Sequence, residues 1–178
     1  MGSMPIILAL LAILGGAYFW LGHARMGVEA ARELSGVASD VKAAARRFGF
    51  PRRLNEHPVD SIEDPNVATA GAGLASLELA DLPIAETRDA LIVSLQHHLR
   101  TSESDARESL ILGRWLLNEC GGPQPALDRF ARRLMRMRGA AALEPLMAVL
   151  GDVAADAGGL NDRQRDALDV IVRHFKLR

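Results

Sequence analysis

The feature that most constrains this chain is at its start. The first 22 residues carry no charged side chain, and Met4–Gly22 (MPIILALLAILGGAYFWLG) is one apolar run. Roughly 20 apolar residues in helical conformation cross a bilayer core, so the run predicts a single N-terminal transmembrane helix. Tyr18 and Trp20 stand near its end, where amphipathic aromatics favour the headgroup level. No basic stretch precedes the run and no small-x-small site is convincing around Gly22–Ala24, so an uncleaved anchor is expected rather than a signal peptide. Arg25, Arg32, Lys42, Arg46 and Arg47 follow the span and no basic residue precedes it. The positive-inside rule then puts the N-terminus outside and the C-terminal bulk in the cytoplasm, as in a bacterial inner membrane. Gly15 and Gly16 would let a second membrane helix approach closely.

Beyond the anchor the composition is that of an all-α protein: Ala, Leu, Arg and Glu dominate, and Gly and Pro fall between periodic segments. Residues 23–53 carry seven Lys/Arg against three Asp/Glu, and the remainder is net acidic. One cysteine, Cys120, excludes an intrachain disulfide. Ala30, Leu34, Val37, Val41, Ala44 and Phe48 recur at steps of three and four, which predicts a juxtamembrane amphipathic helix packed on the domain or on a partner helix. Gly49 and Pro51 end it, and residues 49–63 read as a linker. The domain organisation expected is a span over 4–22, a juxtamembrane helix and linker over 23–63, and a helical domain over 64–178.

Helix signals punctuate that domain. Asp64-Pro65 supplies a cap and a proline at the first helical position, and the small residues Ala68, Ala70, Gly71, Ala72 and Gly73 suit close packing. A helix is expected over 84–99, another from Ser102 with Asp105 as a capping pair, and a basic one over 125–138 ended by Gly139. The last helix is capped by Asn161 and Gln164, with Leu168, Ile171, Val172 and Phe175 as its buried stripe. Residues 88–99 and 165–176 match at six of twelve positions (Arg, Asp, Ala, Leu, Val, His). Each follows a short acidic turn, which predicts two pseudo-repeated halves burying their apolar faces against each other, with the rest packed around these two helices.

The two turns, Leu79-Ala80-Asp81-Leu82-Pro83-Ile84-Ala85-Glu86-Thr87-Arg88 and Ala154-Ala155-Asp156-Ala157-Gly158-Gly159-Leu160-Asn161-Asp162-Arg163-Gln164, resemble those of the TerB-like group. That group takes in tellurite-resistance TerB and the N-terminal region of the membrane co-chaperone DjlA. The resemblance covers roughly residues 64–178 and implies a TerB-like helical bundle behind the anchor. In the family, the turn Asp and an acid in the following first turn look like a divalent-ion site. Here Arg88 and Gln164 stand where those acids belong, and a hard cation needs several oxygen ligands, so no metal is expected.

Nothing in the sequence points to catalysis. It has no His-Glu-x-x-His pair, phosphate-binding glycine loop or nucleophile elbow. His97, His98 and His174 lie at helix C-termini, where the dipole favours a cation. Few aromatics argue against a nucleic-acid surface. The expectation is a non-enzymatic, cofactor-free, membrane-anchored scaffold or adaptor presenting its helical domain to a protein partner. An accessory subunit of a larger inner-membrane complex is the alternative, and an ion-responsive stress protein a remote one. The docking surface would be the basic helix, through Arg129, Arg132, Arg133 and Arg136, toward an acidic partner or anionic lipid.

Overall fold

The computed structural model describes residues 39–48, 56–80, 84–156 and 158–176. Met4–Gly22, with Gly15 and Gly16, lies outside the described residues, as do Ala30, Leu34, Val37 and Asp81. Among the described residues there is no strand, and no helix is long and apolar enough to cross a membrane.

Residues 41–178 form one compact unit. After a helical segment at 41–47 and a 3-10 turn at Pro58–Ser61, six helices follow: α1 (Pro65–Leu79), α2 (Ile84–Leu99), α3 (Glu103–Asn118), α4 (Pro123–Arg138), α5 (Leu143–Asp156) and α6 (Asp162–Lys176). A second 3-10 turn, Gly139–Ala142, joins α4 to α5.

The hub is α1. Asp64 accepts from the Asn66 amide at 2.7 Å and Pro65 opens the helix. Twelve of its fifteen residues are buried, which is the signature of a helix enclosed on all sides. The other five helices all pack on it. Small residues make that possible: a Cβ on Gly71 would lie 2.3 Å from Cζ of Phe130, and one on Gly113 would lie 2.9 Å from the Gly71 amide nitrogen. Thus α4 drives an aromatic ring onto α1 while α3 approaches it backbone to backbone. The two echoing helices are instead peripheral. α2 packs mainly on α5 and α6 mainly on α4; the expectation that they form the centre is corrected.

Nor do the two copies bury the same set of positions: only Ser94 and Ile171 are buried at equivalent places. In α2 the buried residues include Leu91, Ile92, Ser94 and Leu95; in α6 they are Gln164, Ala167, Ile171 and Phe175. Leu168 and Val172, expected in the stripe, are only half-buried. The reason is the cap at the start of α6. Asn161 Oδ1 accepts from the Gln164 amide at 2.8 Å, and Gln164 Oε1 accepts from the Asn161 amide at 3.1 Å. Gln164 then donates from Nε2 to the Ser76 carbonyl at 3.2 Å, while Asn161 Nδ2 donates to the Leu79 carbonyl at 2.8 Å. The box therefore also satisfies the Leu79 carbonyl at the C-terminal end of α1, which a helix end otherwise leaves bare, and adds a second donor to the Ser76 carbonyl, which already accepts from the Ala80 amide at 3.1 Å. Holding Gln164 inward rotates Ala167 and Ile171 into the core.

The linker expectation is also corrected. Val59 and Ile62 are fully buried in the same core as Ala44, and Val41, Ala45 and Phe48 pack against it. The described part of the 30–48 stripe, Val41, Ala44 and Phe48, thus faces the domain. Arg47 fixes it there, bonding Asp105, Glu108 (2.6 Å) and Ser104 (3.2 Å) on α3. The α4 helix begins two residues before the expected start, at Pro123, because a proline at the first position follows Gly122 with a left-handed φ of 142°.

Candidate docking face and cleft

The arginines of α4 divide into those that hold the chain and those that face outward. Leu127, Phe130, Ala131 and Leu134 are its buried face. Arg133 lies alongside, donating from Nε (2.7 Å) and from NH2 to the Ile62 carbonyl. A charged hydrogen bond of this kind contributes about 1.5–3 kcal/mol. Arg136 pairs with Asp60, and Arg129 stands 3.7 Å from the same carboxylate. Arg132 pairs with Asp128 one turn earlier, at 2.5 Å. Arg133 is therefore a clamp for the Pro58–Ser61 turn, not part of a free surface. The remaining three keep 37 % (Arg129), 49 % (Arg132) and 56 % (Arg136) of their side chains exposed. Exposed pairs of this type contribute only about 0–1 kcal/mol, so these guanidinium groups exchange partners at little cost. Beside them, Glu56, Asp60 and Glu63 share a cleft of about 360 Å³ with Arg133 and Arg136, giving that end a mixed charge.

The clamp also has a histidine. His57 Nδ1 accepts from the Val59 amide at 3.3 Å and its Nε2 lies 3.2 Å from the Glu119 carbonyl, so it caps the 3-10 turn.

The other histidines do more than sit at helix ends. His98 Nε2 lies 2.9 Å from Asp152 Oδ2, and Ser94 Oγ donates to the same oxygen at 2.6 Å. Across the domain, His174 Nε2 lies 2.5 Å from Asp128 Oδ1, the carboxylate that also holds Arg132. Each echoing helix thus ties a terminal histidine to an aspartate of the helix it packs on. The Ser94 hydroxyl, foremost, holds Asp152 below the usual carboxylate value near 3.8; burial opposes it, and His98 adds a further lowering. Ser94, Asp152 and His98 are not a nucleophilic triad: serine and histidine both bond the carboxylate, and no bond from Ser94 to His98 exists to activate the hydroxyl. Ser94 and His98, four apart on α2, are readable from sequence as neighbours on one face; Asp152, 54 positions beyond His98, is not.

His98 also lines a second cleft, of about 420 Å³, where the start of α1, the ends of α2 and α4, the Gly139–Ala142 turn and the first turn of α5 meet. Asn66, Thr69 and Arg138 supply its other polar groups. Cys120 is held as the thiol at neutral pH: burial pushes its value up to about 11, and Sγ donates to the Leu116 carbonyl at 3.2 Å. Among the described residues no group of three His, Cys, Asp or Glu side chains is placed to hold a metal ion. Gln164, which stands where the family resemblance puts an acid, is occupied by the cap. No protein-family model, curated protein or solved structure matches the chain.

Proposed function

We propose that this chain is a membrane-anchored interaction module. In this reading Met4–Gly22 holds a TerB-like helical domain of two related halves at the cytoplasmic face of a bacterial inner membrane, and the outer face of α4 docks an acidic protein partner. The observation that carries it is the exposure of Arg129, Arg132 and Arg136 along one helix of a domain that is otherwise acidic. Their carboxylate partners, Asp60 and Asp128, are themselves near the surface, so a partner's acids can take their places without uncovering a buried charge. The charge step across Met4–Arg25 supports the anchor and its orientation. The role is binding, not catalysis.

The test is affinity purification of the full chain from mild detergent, comparing wild type with the triple variant Arg129→Gln, Arg132→Gln, Arg136→Gln. Arg133 is kept because it holds the Ile62 carbonyl. Loss of the co-purifying partner with unchanged melting supports docking through α4. Retention of every partner refutes it. If association instead fails when Gly15 and Gly16 are replaced by leucine, the span does the binding and the protein is an accessory subunit of a membrane complex. Binding to vesicles containing phosphatidylglycerol, lost in the triple variant without a protein partner, transfers the face to anionic lipid.

A further inference from the structure

The five-element cleft plays no part in docking through α4, and it sets a few polar groups beside apolar side chains. Its volume, about 420 Å³, falls within the roughly 300–1,000 Å³ typical of ligand pockets. Part of its lining is apolar, from Pro65, Leu99, Leu134, Ala142 and Pro145, of which Leu134 and Ala142 are themselves buried. The polar groups are few. Arg138 is the one arginine of α4 with no hydrogen-bond or ion-pair partner among the described residues, while its four neighbours on the helix all hold a carboxylate or a carbonyl. The Asn66 side-chain amide, in the first turn of α1, is likewise without a partner. His98 is the opposite case: Asp152, itself held by Ser94, fixes its ring.

A single unpaired guanidinium beside an apolar wall selects an anion with a hydrocarbon body. The planar fork of arginine fits a carboxylate in bidentate fashion. The charge count also sets the valence. Asp152, bonded to His98, puts negative charge behind the ring, and Arg138 is the one arginine or lysine of the lining, so a dianion would be under-compensated. We propose that this cleft binds a small organic monocarboxylate with an apolar body, the carboxylate on Arg138 with Asn66 beside it and the body against Pro65, Leu99 and Pro145. The inference does not depend on the docking face or on the anchor.

The experiment uses the full chain in detergent micelles and titrates benzoate, benzyl alcohol, benzylamine and phenyl phosphate, read by ligand-observed saturation transfer and by amide chemical shifts. Arg138→Gln removes the cation at an exposed position, and Ala141→Trp fills the rim of the cleft from another exposed position. The expected result is saturable benzoate binding that weakens at least tenfold in each variant, with Arg138→Lys between wild type and Arg138→Gln. Benzyl alcohol and benzylamine bind at least tenfold more weakly than benzoate. Melting curves check folding, and if Ala141→Trp unfolds, the Arg138 pair decides. The proposal is overturned by any of three outcomes: no saturable benzoate signal, a signal equal in Arg138→Gln and wild type (micelle partition only), or tighter binding of phenyl phosphate than of benzoate.

Discussion

Replacing glycine by alanine at three helical positions should change stability in opposite directions, because only the surroundings differ. In an open helix the change is favourable by about 1 kcal/mol, since glycine loses more backbone freedom on folding. Gly151, in α5, is exposed, and a Cβ there meets nothing within 4 Å; Gly151→Ala should stabilise by about 0.5–1 kcal/mol. At Gly113 the new Cβ would stand 2.9 Å from the Gly71 nitrogen and 3.0 Å from its Cα, contacts with backbone that yield only if α1 and α3 separate. Overpacking a tight core costs about 1–3 kcal/mol and more where backbone must move, so Gly113→Ala should be destabilising by about 2 kcal/mol net. At Gly71 the obstacle is the buried ring of Phe130, with three ring atoms between 2.3 and 2.7 Å. That clash has a remedy, since Phe130→Leu withdraws the ring tip. The double variant should be more stable than the sum of the single effects by at least about 1 kcal/mol. For a domain of this size 1 kcal/mol moves the midpoint by about 2–4 °C. Thermal melting by circular dichroism should therefore show a small rise for Gly151→Ala and a fall of about 4–8 °C for Gly113→Ala. A Gly113→Ala protein as stable as wild type, with additive Gly71 and Phe130 effects, would refute the close approach of α1, α3 and α4.

Two further outcomes follow from the echoing helices. Ile171→Ala should be destabilising by about 2–5 kcal/mol because Ile171 is fully buried, whereas half-buried Leu168→Ala should stay below about 2 kcal/mol; equal losses in urea titrations would restore the stripe read from sequence. Asp152 has a folded value below its unfolded one, so its stabilising contribution is complete above about pH 3.8 and is lost as the pH falls through the folded value. Ser94→Ala removes the main cause, and the Asp152 carboxyl should then titrate at higher pH by carbon NMR, with stability falling earlier on acidification; an unmoved titration would show that the hydroxyl does not hold the carboxylate.

Capping was the most legible part of the chain. Asp64-Pro65, Ser102 with Asp105, and Asn161 with Gln164 act over two or three residues, so their side chains and the amides they bond are fixed by sequence distance alone. The stripe on α6 is not legible in hydropathy: Leu168 and Val172 are more apolar than Gln164 and Ala167, and nothing local records that Gln164 bonds Ser76 on α1. The hub is faint in the sequence for a related reason. A helix of alanines and glycines has little amphipathic contrast, and its value lies in letting Phe130 and Gly113 come close, partners 40 or more positions away. The arginine face is legible as a linear cluster, but its division into clamp and surface depends on Asp60 and Ile62, in a segment with the composition of a linker. The Ser94–Asp152–His98 group and the cleft are assembled from several helices and leave only the spacing of Ser94 and His98 as a local sign.

The docking face, the clamp and the cleft all rest on α1 as the enclosed centre of the bundle, so native-state hydrogen exchange along the full chain is the most direct test. Amides of α1 from Ala70 to Leu77 should exchange only through global unfolding, with the highest protection in the protein and the full dependence on denaturant. Those of α2 and α6 should exchange through smaller openings at lower free energy. Slowest exchange in α2 and α6, with α1 exchanging through local opening, would contradict the account and place the core between the two echoing helices.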